Sequence, residues 1–132
     1  MKTKLLTICL LLFSSQVFAS EIAIKCKNLF PINSYTLWKY IETPTNKKIQ
    51  IKSDLEWIDW ESNSWSMPTL ESEGNIEVEV KDKAARFVTT YYVKGKIDDR
   101  FTTSIDFEIP SLTLKNEKKP GLGSSVECKF LN

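Results

Sequence analysis

Apolar and polar residues alternate with a period of two along most of the chain. Ile22, Ile24 and Cys26 alternate with Ala23, Lys25 and Lys27, and Ile49 and Ile51 with Lys48, Gln50 and Lys52. Ile76, Val78 and Val80 are set against Glu77, Glu79 and Lys81. The longest run sets Phe101, Thr103, Ile105, Phe107 and Ile109 against Thr102, Ser104, Asp106 and Glu108. Val126, Cys128 and Phe130 close the series. This spacing puts one set of side chains on a buried face and the other in solvent, as in half-buried strands. Ser34–Glu42 is amphipathic in a mixed way, with Tyr35, Leu37 and Ile41 on one parity and Trp38 and Tyr40 on the other. Residues 85–94 are β-branched and aromatic on both faces, which predicts a central strand, and Leu112 and Leu114 predict a short one.

Turn chemistry separates these runs at Thr43-Pro44-Thr45-Asn46, Glu73-Gly74-Asn75, Lys94-Gly95-Lys96 and Pro120-Gly121-Leu122-Gly123. Asp82-Lys83 reads as a tight hairpin. The pattern predicts an all-β domain, an antiparallel meander of about eight strands. Ser53-Asp54-Leu55-Glu56 fits a helix capping box ahead of Trp57, Ile58 and Trp60. A single helical turn and a strand are equally expected over residues 53–60.

The amino terminus departs from this pattern. Lys2 and Lys4 precede an apolar run, Leu5–Phe13, and Val17-Phe18-Ala19 leads to Ser20. A basic start, a short apolar run and a small residue at the cleavage point describe a secretory signal peptide over residues 1–19. The run falls short of the roughly 20 apolar residues of a membrane span. Removing 19 of 132 residues leaves 113, the size of one domain. The expected location is the periplasm or the exterior of a bacterial-type cell, with no membrane span in the mature, monomeric form.

Export changes the cysteine count. Cys9 departs with the signal, and Cys26 and Cys128 remain in an oxidising compartment, where they are expected to pair. No Cys-x-x-Cys spacing supports a redox pair, and two cysteines without histidine cannot complete a zinc site. Closing so long a loop is worth up to about 4.7 kcal/mol in the chain-entropy model. Both cysteines fall on apolar strand faces, so the first and last strands must lie close. That favours a closed barrel over a sandwich.

Composition narrows the function. The chain has no histidine, the commonest general base and metal ligand. The mature portion holds 16 basic and 17 acidic residues, without the basic excess of a nucleic-acid binder. No calcium loop, phosphate loop or cofactor motif is present, and no cofactor or metal is expected. Gly121-Leu122-Gly123 is a turn, and Lys115, Lys118 and Lys119 read as a solvated edge that discourages strand pairing.

One region stands apart. Ser53–Val80 carries Asp54, Glu56, Asp59, Glu61, Glu71, Glu73, Glu77 and Glu79 with no lysine or arginine, a charge of −8 against +7 for the rest of the mature chain. Trp57, Trp60 and Trp65 lie within it. At least two of these three are expected in the core. Tryptophans beside carboxylates also suit a protein interface, and acidic side chains on one surface steer a cationic partner. The candidate binding residues are Trp57, Asp59, Trp60, Glu61 and Trp65.

These features lead to a non-enzymatic exported β-domain that binds a basic protein, such as an envelope enzyme or toxin to be inhibited. The alternatives are a small-molecule carrier lined by Phe87, Tyr91, Phe101, Ile105 and Phe107, and a hydrolase using carboxylates such as Asp59 and Glu61.

Overall fold

The computed structural model describes residues 19–29, 33–119 and 123–131. The signal reading, Cys9 and most of the Pro120–Gly123 turn lie outside these. Ten strands form one antiparallel meander: β1 Ser20–Lys27, β2 Tyr35–Glu42, β3 Lys47–Ser53, β4 Glu56–Asp59, β5 Asn63–Met67, β6 Ser72–Lys81, β7 Ala84–Val93, β8 Lys96–Asp106, β9 Ser111–Asn116 and β10 Ser124–Phe130. Their order in the sheet is β4-β3-β2-β1-β10-β9-β8-β7-β6-β5. All strands consecutive in sequence pair except β4 with β5, and β1 pairs with β10. The pair that would complete the ring, β4 with β5, is missing. The expected barrel is thus a curled half-barrel of ten strands rather than about eight, open at one seam.

The first and last strands meet as the cysteine positions require. Cys26 and Cys128 face each other directly across β1 and β10 and form a disulfide, with Cα atoms 4.1 Å apart.

One end of the half-barrel is filled. Ile24, Tyr40, Ile49, Ile105 and Phe107 are essentially inaccessible, with Trp38, Ala85 and Phe87 close behind. Tyr40 packs on Phe107 at 5.7 Å and Trp38 on Phe87 at 5.6 Å. Three of the residues expected to line a carrier interior, Phe87, Ile105 and Phe107, therefore belong to a packed core. Tyr91 and Phe101 lie toward the other, open end.

Several local expectations change. Ser53–Glu56 is not a helix start. It closes the β3–β4 hairpin over the two-residue loop Asp54-Leu55, with Asp54 left-handed at φ 54°. Asp tolerates that conformation, and the strand alternation on both sides outweighs the capping signal. The helical turn lies later, at Pro68–Leu70, where proline suits the first position. Glu73-Gly74-Asn75 is not a turn but the interior of β6. Ile109 is 74% exposed, because β8 ends at Asp106 and the Asp106 carboxylate accepts hydrogen bonds from the amides of Glu108 and Ile109. Phe130 is half exposed at the end of β10. Lys115 sits on β9, an interior strand, rather than at an edge. The turns at Thr43–Asn46, Asp82-Lys83 and Lys94-Gly95 are as expected.

Candidate functional site

The seam between β4 and β5 contains most of the residues singled out in the sequence. β4 runs toward the filled end, Trp60-Glu61-Ser62 crosses the gap, and β5 runs back. At the crossing the amide of Trp60 donates to the Ile49 carbonyl, and the amide of Val78 donates to the Ser62 hydroxyl at 2.9 Å. Beyond this point the two edges are not paired.

Hydrogen-bonding direction alternates along an antiparallel strand. Because Trp60 bonds to β3, the backbone groups of Trp57 and Asp59 face away from it, toward the free edge. The amide of Ser64 donates to its neighbour's side chain, Asn63 Oδ1, at 2.8 Å rather than to β6. Ser64, and one pleat further Ser66, therefore present their backbone to the opposite free edge. Between the edges is a cleft of about 730 Å³ lined by Ile51, Ile58, Trp60, Trp65 and Ile76, with Asp59 and Glu61 at its rim.

Trp60 stands at the head of this cleft. Its ring makes edge contacts with Trp38 and Phe87 at 5.8 and 5.7 Å, so one side joins the core while the other borders the opening. Trp65 lies flat over Gly74, its direct cross-strand partner, where no side chain could be accommodated. Edge contacts at 5.8 and 6.1 Å continue the aromatic row from Trp65 to Tyr91 and Phe101.

Trp57 is elsewhere. It faces outward, with the Lys39 ammonium 4.2 Å and the Lys52 ammonium 5.7 Å from its ring. Of the three tryptophans only Trp60 packs on the core, so the expectation of at least two in the core is revised to one. Four of the five candidate residues, Asp59, Trp60, Glu61 and Trp65, border one cleft, and Trp57 does not.

The acidic region is partly neutralised. Lys48 pairs with Asp59 at 3.1 Å and Lys81 with Glu79 at 3.4 Å. The Gln50 side-chain amide at 2.8 Å, and then Lys48, hold the Asp59 carboxyl below its usual pKa. Among the described residues Glu56, Glu61, Glu73 and Glu77 have no ion-pair partner; Glu56 and Glu61 keep negative charge at the seam, whereas Glu77 lines the outer face of the sheet. Sequence alternation identified β3 and β6, the strands behind the cleft, but not β4 and β5, which are the two strands beyond the eight expected. The missing ladder was therefore invisible to it.

No helix of the described residues is long and apolar enough to cross a membrane. No protein-family model matches the sequence, and neither a curated protein nor a solved structure gives a match.

Proposed function

We propose that this protein is an exported, non-enzymatic binding domain that holds a cationic protein partner at the seam between β4 and β5. The observation that carries this reading is the seam itself: two unpaired strand edges flank an apolar cleft with carboxylates at its rim. An extended segment of a partner adds its backbone to such an edge and its apolar side chains to the floor. Glu56 and Glu61 supply long-range attraction for a basic segment and exclude acidic ones. A disulfide is compatible with export, since such bonds persist in oxidising compartments.

The test is retention of envelope proteins on the immobilised mature domain across a salt gradient. Basic proteins should be retained and should elute as salt rises, because exposed charges are screened over about 8 Å at physiological ionic strength. Glu56→Lys with Glu61→Lys should slow association, and Ser66→Pro, which removes one edge amide, should speed dissociation. Retention unaffected by salt, charge reversal and proline alike would rule the reading out.

The carrier alternative draws on a second feature, an apolar depression of about 400 Å³ toward the open end between Trp38, Phe87, Leu114 and Val126. Displacement of an apolar dye by fatty acid, unaffected by Ser66→Pro, would favour it.

A further inference from the structure

The outer face of β6–β9 holds a second depression, of about 630 Å³, on the side of the sheet opposite the core. Its shape follows from the order of side-chain sizes across the strands. Arg86, Ser104 and Thr113 lie side by side on β7, β8 and β9. Val88, Thr102 and Lys115 form the next row, and Thr90 and Arg100 the one after. Short side chains therefore occupy the middle, and long ones stand around it. The register shift between Tyr91 and Tyr92 adds a bulge, which increases local twist and brings the Tyr92 ring to the rim.

The polar groups converge. Arg100 folds over Thr90, with Nε donating to its hydroxyl at 3.2 Å, and its guanidinium meets Glu117 at 3.4 Å. This covers Thr90, which is only 3% exposed although it faces away from the core. Arg86 and Lys115 stand at opposite corners of the short-side-chain floor, and among the described residues neither has an ion-pair partner; the Glu77 carboxylate on β6 borders the depression outside that floor. Strand and residue spacings put their backbones about 12 Å apart, so both cationic heads reach the space above Thr102 and Ser104. Between them the hydroxyls of Thr102, Ser104 and Thr113 point the same way.

We infer that this depression binds an acidic saccharide. Arg86 and Lys115 take the anionic group, the row of hydroxyls bonds the sugar hydroxyls, and Tyr92 offers a ring face at the rim. Guanidinium suits carboxylate and phosphate because its donors form a fork that matches two oxygens. The hydroxyl floor argues against a lipid chain, and the volume falls within the range of small-ligand sites. The site is on the opposite face of the sheet from the cleft floor, so it stands independently of the seam.

Calorimetric titration of the disulfide-intact mature protein tests it. The probes are a glucuronosyl-glucose disaccharide and glucose 6-phosphate, with cellobiose, sodium acetate and inorganic phosphate as controls. At least one acidic sugar should bind about tenfold more tightly than cellobiose and than either bare anion, the ratio expected for one charged hydrogen bond. Arg86→Gln and Lys115→Gln should each weaken that binding about tenfold with an unchanged melting temperature, since both side chains are exposed. Seam variants should leave it unchanged. Equal binding of acidic and neutral sugars, competition by acetate or phosphate at equal strength, or no binding by either acid up to about 10 mM would overturn the inference.

Discussion

Gly74 has no side chain because the Trp65 indole lies where one would be. Gly74→Ala should destabilise the fold by about 1–3 kcal/mol, the cost of overpacking, seen as a lower urea midpoint at unchanged slope. Adding Trp65→Ala should cost less than the sum of the two single changes, because removing the indole removes the clash with the new methyl group. Tyr40 makes the opposite point. It is fully buried, yet its hydroxyl has no protein partner. Tyr40→Phe should therefore leave stability equal or higher, whereas loss of a bonded hydroxyl would cost about 1 kcal/mol. Asp59 supplies the pH dependence. Its folded pKa lies below its unfolded one, so its contribution is present above the unfolded value, about 3.9, and is lost as pH falls through the folded value. The urea midpoint of Asp59→Asn should change less than that of the parent on acidification through that window. None of these three roles could be inferred from residue type. A glycine amid polar residues signals a turn until its cross-strand partner is known.

The strands were legible because alternation is a local property, and it located most of the ladder. The hairpin at Asp54-Leu55 was not, since Ser-x-x-Glu is also the start of a helix, and only pairing of Ser53 with Glu56 decides between them. Ile109 continued a period-two pattern past the end of its strand for the same reason: Asp106 turns the chain, and periodicity does not register that. The β7–β8 loop offers a test of turn chemistry. Lys94 and Gly95 both have positive φ, 52° and 76°. Lysine is ill suited to that conformation, and Asn-Gly is the preferred pair for a two-residue hairpin. Lys94→Asn should raise stability by up to about 1 kcal/mol, read as a higher thermal midpoint.

At the scale of the molecule, the two cysteines did more than the strands to anticipate the architecture, because they required the chain ends to be neighbours. Replacing both with serine should cost about 2–5 kcal/mol in equilibrium unfolding. The seam was not legible. Alternation marks neither β4 nor β5, so their failure to pair could not be read from it, and in the structure Trp60 turns inward against Trp38 and Phe87 where that ladder would begin. Charge segregation along the sequence was legible, but its spatial outcome was mixed, with Lys48 and Lys81 neutralising two carboxylates and others left free.

The pairing of β1 with β10 also has a kinetic side. Eight of the nine ladders join strands that are consecutive in sequence, and the ninth joins residues as far as 106 apart, Ile24 with Phe130. Local hairpins close in microseconds, whereas distant contacts must first overcome loop-closure entropy. Two arms, β1–β4 and β5–β10, can each zip up from neighbouring turns without waiting for the other. Docking of the chain ends is then the slow event, and in an oxidised chain the disulfide already holds those ends together when refolding begins, so most of the loop-closure cost is met in advance.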